Sequence, residues 1–193
     1  YQKALNDLQL VVLVDRSYSM LSSDAYAFLN YNQAPPSKFI NPKAPTDVSW
    51  KRMDSAFMIA SHLATTMIKY DKDGKVPVYF FGSKVDKAEI HNAEELYMEF
   101  GKYPPDAHQT TNLKDALEKA FEQNIKRKHG IGKPNRTLFL VITDGKPDGK
   151  REKIADLIHH KVSSIDHDGE RLNVFFIQIG DDEGASEFLS YMD

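Results

Sequence analysis

Apolar positions along this chain follow two different periods. Leu8 to Val14, Val76 to Gly82, Thr137 to Ile142 and Leu172 to Gly180 are short runs rich in β-branched and aromatic residues. Runs of that length and make-up read as buried strands. Between them the apolar period lengthens to that of a helix. Trp50, Met53, Phe57, Ala60, Ala64 and Met67 predict one helix that stops near Tyr70. Leu113, Ala116, Leu117, Ala120 and Phe121 predict a second, and Ile154, Leu157, Ile158, Val162 and Ile165 a third. Phe188, Leu189 and Met192 mark a short last helix. Asn92-Ala93-Glu94-Glu95-Leu96 reads as a capped helix start, because Asn92 can accept an orphan backbone N–H. Ala88 to His91 suggests a short edge strand. Alternating strands and helices imply right-handed crossovers and a mostly parallel sheet covered on both faces.

One stretch breaks the alternation. Ser22 to Ser49 is polar and carries Pro35-Pro36, Pro42 and Pro45, so it reads as a long loop or insertion, at about 21–49. No linker or repeat divides the 193 residues, and residues 1–193 read as a single domain. A content of 41% hydrophobic and 27% charged residues supports a sizeable core. A net charge of −3 gives no general reason to bind nucleic acid or an anionic membrane. No apolar run approaches the ~20 residues of a bilayer span. The absence of cysteine removes thiolate metal sites and a cysteine nucleophile.

The chemistry concentrates where strands end. The first strand runs into Asp15-Arg16-Ser17-Tyr18-Ser19, a carboxylate and two hydroxyls at alternate positions. The third long strand runs into Thr143-Asp144-Gly145. In a parallel sheet, both aspartates then lie at the C-terminal strand ends, where binding crevices form. Gln109-Thr110-Thr111-Asn112, just before a helix, offers a third hydroxyl. Two carboxylates and three hydroxyls suit a hard cation such as Mg²⁺, which takes about six oxygens. Mn²⁺ and Ca²⁺ share that preference for oxygen.

Asp15-x-Ser17-x-Ser19, Thr111 before a helix and Thr143-Asp144-Gly145 together resemble the metal-ion-dependent adhesion site of the von Willebrand factor A-type (VWA) domain. The likeness runs from about Leu8 to the C-terminus. Trp50 at the start of the first long helix also fits it. The resemblance implies a Rossmann-like, doubly wound, mostly parallel sheet with one short antiparallel edge strand and helices on both faces. It implies metal ligands Asp15, Ser17, Ser19, Thr111 and Asp144, with Thr111 favoured over Thr110 because Asn112 and Leu113 follow it. It further implies Mg²⁺-dependent, non-catalytic binding of a protein that supplies an Asp or Glu to the metal. Phe80-Phe81-Gly82, Asp144 to Asp148 and Phe176 to Asp182 resemble intracellular microbial members, including those associated with tellurium resistance. That narrower likeness implies a cytoplasmic location.

The chain departs from the family at three places. Tyr18 stands where Gly is frequent and is expected to rim the crevice. Gln109-Thr110 replaces Gly-Gly, and the insertion leaves the sheet at the metal end. Asp148, Asp181, Asp182 and Glu183 read as turn or helix-start acids, with Asp148 as a possible rim residue alongside Thr110. His159-His160 reads as a solvated helix pair, and His108 as an exposed loop residue. The basic cluster Lys126-Arg127-Lys128-His129 with Lys133 and Arg136 reads as a solvated connector at the opposite pole. Tyr79-Phe80-Phe81 and Phe175-Phe176 read as core strand residues. Two alternatives to a binding module stand: a scaffold with a structural metal whose partner docks on the helices, and a Mg²⁺-dependent phosphohydrolase. The latter needs a second acid two residues after Asp15, where this chain has Ser17.

Overall fold

The structure is a computed structural model that describes residues 8–23, 51–70, 74–105, 110–125, 136–145, 147–165 and 172–192. Five strands form one sheet: β1 (Leu8–Asp15), β2 (Val76–Phe81), β3 (Val85–Ile90), β4 (Arg136–Thr143) and β5 (Leu172–Gln178). Their order is β3-β2-β1-β4-β5. All neighbours pair in parallel except β3, which runs antiparallel to β2. Five helices are described: α1 (Arg52–Met67), α2 (Ala93–Lys102), α3 (Leu113–Asn124), α4 (Arg151–Ile165) and α5 (Glu183–Met192). Among the described residues, no helix is long and apolar enough to cross a membrane.

The expected doubly wound sheet with an antiparallel edge strand is what forms. β3 is longer than Ala88 to His91 suggests, because Val85 pairs with Phe81 across a tight connection. Pro77 lies just below the β1–β2 ladder, which begins at Val78, so its missing N–H costs no bond to β1. Successive side chains of β1 point to opposite faces. Val12 and Val14 join Val78, Phe80 and Ile142 under α1 and α2. The α1 contribution there is Ala56, Ala60 and Ala64, small residues that let the helix approach the sheet closely. Val11 and Leu13 join Tyr79, Phe81, Phe139 and Val141 under α3, α4 and α5. The Tyr79 hydroxyl is satisfied in that core, accepting from Asn124 at 2.8 Å and donating to Gln123 at 3.0 Å. Each large side chain fully buried this way is worth about 1.5–3 kcal/mol.

Local signals hold at the helix ends. Asn92 accepts the Glu95 N–H at 2.9 Å, and Asp182 accepts the Ala185 N–H at 2.7 Å. Asp181, Asp182 and Glu183 are exposed, as their helix-start reading requires. So are His159 and His160 on α4, with Ile154 of the same helix turned into the core. One aromatic departs from expectation: Phe175 is 58% exposed. Among the described strands β5 is an edge; on its Phe175 face Ile177 and Ile179 join the α1 cluster, and Phe175 does not. Phe176 points the other way and packs edge-on against Phe188.

Trp50, His108, Gln109, Lys146 and the cluster from Lys126 to Lys133 lie outside the described residues, as does the insertion from 24 onward. Arg136 is exposed at the start of β4, the end of the sheet away from Asp15. The two ends of the insertion meet. Arg52 N–H donates to the Ser22 carbonyl at 3.0 Å, and Lys51 Nζ to Ser23 Oγ at 2.6 Å.

Candidate metal centre

The winding reverses between β1 and β4. From β1 the chain crosses to β2 on one side, and from β4 it crosses to β5 on the other. Loops leaving two such strands part, and the gap between them is where ligands bind in open α/β sheets. Register fills that gap with acids. Val14 faces Ile142 across the ladder, so Asp15 comes level with Thr143 and Asp144 lies one residue further.

Asp15 and Asp144 are both 0% exposed. Both oxygens of Asp15 meet neutral donors: Oδ1 accepts from Ser17 N at 2.8 Å, and Oδ2 from Thr143 Oγ1 at 2.6 Å. Burial pushes the Asp15 carboxyl up to about 6, opposed by the Thr143 hydrogen bond and reinforced by the negative charge of Asp144. Asp144 is held differently. Ser19 Oγ donates to its Oδ1 at 2.9 Å, while Arg52 Nη1 reaches Oδ2 at 2.9 Å. Burial raises Asp144 as well, with the Arg52 bond the main opposing influence. Ser17 and Ser19 hydroxyls lie 3.0 Å apart, so Ser17, Ser19 and Asp144 form a continuous run of oxygens.

The turn at residues 18–21 makes this possible. Its tight winding brings Ser17 and Ser19 to one side while Met20 anchors it in the core at 0% exposure. Tyr18, between the two serines, is 51% exposed. Thr111 and Thr110 separate by burial: Thr111 is 8% exposed and Thr110 is exposed. Two bonds fix Thr111 to the loop after β4, from Thr111 N to Asp148 Oδ2 at 2.7 Å and from Asp148 N to Thr111 O at 3.0 Å. Asp148 thus positions the threonine loop. Asn112 N–H reaches the Gly82 carbonyl at 3.4 Å, tying the same loop to the end of β2.

Two participants were not among the candidate ligands. Thr143, part of the Thr143-Asp144-Gly145 motif, orients Asp15. Arg52 carries no signal in the sequence pattern. Arg52 is 8% exposed and lies at the first residue of α1, where the helix dipole disfavours a cation. Gly180, at φ +81°, closes over it: a Cβ there would lie 2.7 Å from Arg52 Nε and 2.8 Å from Cζ. A lone arginine beside Trp50 looks like any surface arginine until the loops after β4 and β5 are folded onto it.

The residues fit a hard divalent cation. Two buried carboxylates repel each other, and one of them has only neutral donors. Among the described residues no three of His, Asp and Glu cluster, so further protein donors would be hydroxyls. Asp15, Ser17, Ser19, Thr111 and Asp144 would hold the ion, directly or through water. Bound there, it would supply positive charge and an electrophilic position.

No protein-family model and no curated protein matches the chain. Solved structures do match. The SpRpn10 VWA domain superposes with a TM-score of 0.59 over 96% of this chain and 82% of that one, at 10% identity. The fold is that of a VWA domain. An aerotolerance-related membrane protein from Bacteroides fragilis matches with a TM-score of 0.57 and 20% identity, over 90% of this chain and 68% of that one. BatB, a conserved hypothetical protein from Bacteroides thetaiotaomicron, matches with a TM-score of 0.54 and 18% identity, over 89% of this chain and 66% of that one. The chain therefore spans about two thirds of the length of those two chains.

Proposed function

We propose that this VWA domain captures a protein partner through a divalent cation, Mg²⁺ in the first instance, with Mn²⁺ and Ca²⁺ as chemical relatives. Asp15, Ser17, Ser19, Thr111 and Asp144 are its ligands, and a partner's Asp or Glu completes the coordination. The reading rests on one observation above all: two fully buried carboxylates converge with serine hydroxyls at the reversal point of the sheet. Arg52 offsets the charge of Asp144, but Asp15 is held by neutral donors, and a buried carboxylate without a countercharge is costly. Tyr18, Thr110 and Asp148 border the approach and contribute contacts that discriminate among partners. Ser17 occupies the position where a phosphohydrolase of this architecture needs its second acid, which favours binding over catalysis. The proposed setting is the cytoplasm, on the narrower likeness of the sequence to intracellular microbial members.

Calorimetric titration of the EDTA-stripped domain with Mg²⁺ tests the reading. One site, lost in Asp15→Ala, is the expected result. A domain that takes up no Mg²⁺ at millimolar concentration, with or without acetate, overturns it. A metal that stabilises the fold while partner capture persists in EDTA would instead favour the scaffold with helix docking.

A further inference from the structure

Three loops carry the candidate ligands, and they are not fixed in the same way. The loops after β1 and β4 are bonded to each other through the site itself, from Ser19 Oγ to Asp144 Oδ1 at 2.9 Å and from Thr143 Oγ1 to Asp15 Oδ2 at 2.6 Å. The loop that carries Thr111 reaches them through Asp148. Thr111 N donates to Asp148 Oδ2 at 2.7 Å and Asp148 N donates to Thr111 O at 3.0 Å, whereas the bond from Asn112 N to Gly82 O is stretched to 3.4 Å. Both short bonds hold the main chain of Thr111 and leave its side chain out. Thr111 is 8% exposed, yet its hydroxyl makes no hydrogen bond among the described residues. The Ser17 and Ser19 hydroxyls, by contrast, already bond to each other and to Asp144. The uncommitted oxygen of the site therefore sits on the loop whose position Asp148 sets.

Resting on the reading above, we propose that Asp148 is the positioning residue that makes this site favour Mg²⁺ over Ca²⁺. Discrimination between the two ions turns on how rigidly the donor oxygens are held. Mg²⁺ requires a near-ideal octahedron at about 2.0–2.1 Å, whereas Ca²⁺ accepts about six to eight oxygens at about 2.3–2.6 Å in flexible geometry. A threonine oxygen free to drift outward by the difference between those distances suits Ca²⁺. One whose main chain is stapled on both sides, at N–H and at C=O, does not. Asp148 acts through Thr111 and needs no contact with the ion, since its own Oδ2 is taken by the Thr111 amide. Its charge is not the reason for the preference. A negative charge nearby attracts both divalent ions alike, and only a geometric constraint tells them apart.

The experiment measures Mg²⁺ and Ca²⁺ affinities by calorimetry on the EDTA-stripped 193-residue chain. Wild type binds Mg²⁺ more tightly than Ca²⁺. Asp148→Ala cuts the staple and lowers the Mg²⁺-to-Ca²⁺ affinity ratio about tenfold, the usual scale for a residue that orients a metal ligand. Asp148→Asn removes the same charge but keeps an oxygen that accepts the Thr111 N–H. It weakens both ions alike and holds the ratio. In a Thr111→Val background, with no hydroxyl left to position, Asp148→Ala no longer alters the ratio. One readout needs no metal: in EDTA the Thr111 amide exchanges its hydrogen faster in Asp148→Ala than in wild type or Asp148→Asn. Asp148 is exposed, so these variants are expected to fold. A ratio that falls equally in Asp148→Asn and Asp148→Ala would make charge the cause and overturn the proposal. So would a ratio that Asp148→Ala leaves in place, one that falls as far in the Thr111→Val background, or Thr111 exchange that Asp148→Ala does not change. Wild type that binds Ca²⁺ as tightly as Mg²⁺ would overturn it too. Wild type that binds neither ion would bring down the metal reading itself, a result distinct from the others.

Discussion

The loops after β1 and β4 each deliver one aspartate to the same buried gap, and the two acids are treated in opposite ways. Asp144 is held against a guanidinium, and Asp15 is held by a backbone amide and a hydroxyl. Both are fully buried, so exposure does not distinguish them. What differs is the countercharge. Asp144 brings its own, whereas Asp15 stores a desolvated negative charge with only dipoles around it, which accounts for its carboxyl rising to about 6. Charge in this domain is thus incompletely balanced at one candidate ligand and balanced at the other. A cation from solution would be drawn to the unbalanced one.

The largest expected effect separates the two acids by stability in EDTA. Asp144→Ala removes the carboxylate that faces buried Arg52 and should cost about 3 kcal/mol in urea unfolding. Asp15→Asn removes an uncompensated charge and should raise stability at pH 7 by up to about 3 kcal/mol. Equal losses in both variants would end the distinction between them.

The pH dependence follows from the same asymmetry. The folded domain holds the Asp15 proton up to about pH 6, whereas an ordinary aspartate in the unfolded chain gives it up near 3.8. Between those values the folded state binds more protons, so the contribution of Asp15 to stability falls as pH rises. Unfolding measured from pH 4 to 7 in EDTA should show this decline in wild type and a flatter profile in Asp15→Asn. Saturating Mg²⁺ should offset the loss, by about 2.7 kcal/mol at a hundred times its dissociation constant. A profile that Asp15→Asn leaves unaltered would remove the case for stored charge.

Gly180→Ala tests the balanced side without touching a candidate ligand. It combines an unfavourable positive φ with displacement of the guanidinium, and should cost about 1–2 kcal/mol in thermal unfolding. No change would mean that Arg52 moves aside freely. The smallest effect is expected outside the gap. Arg16, next to Asp15, pairs with Asp86 of β3 at 2.8 Å, and Asp86 is 36% exposed. Arg16→Met should cost no more than about 1 kcal/mol and leave metal affinity within about twofold. A larger drop in affinity would extend the site toward β3.

Much of the site was legible because its parts are local. Asp15, Ser17 and Ser19 are neighbours in sequence, and a strand that ends on them carries them to the sheet rim whatever the rest of the chain does. Asp144 follows from the same rule at β4. Parallel pairing then supplies the one nonlocal step, bringing two strand ends level. Arg52 was not legible. Its partner is 92 residues away, its lid is Gly180, and burial of an arginine depends on both being present at once. Phe175 misled for a related reason. A strand's apolar run specifies that it is a strand, but which of its residues the packed core reaches is decided by tertiary structure: Ile177 and Ile179 join the core on the face where Phe175 does not.

By itself, then, the sequence determined the alternation of strands and helices, the doubly wound architecture and the oxygen donors at two strand ends. Those properties follow from short-range periodicity, turn chemistry and the handedness of crossovers. Tertiary structure decided which acid received a countercharge, which threonine was buried and which aromatic was left at an edge. Each of these depends on segments that are distant in sequence and meet only when the sheet closes the order β3-β2-β1-β4-β5.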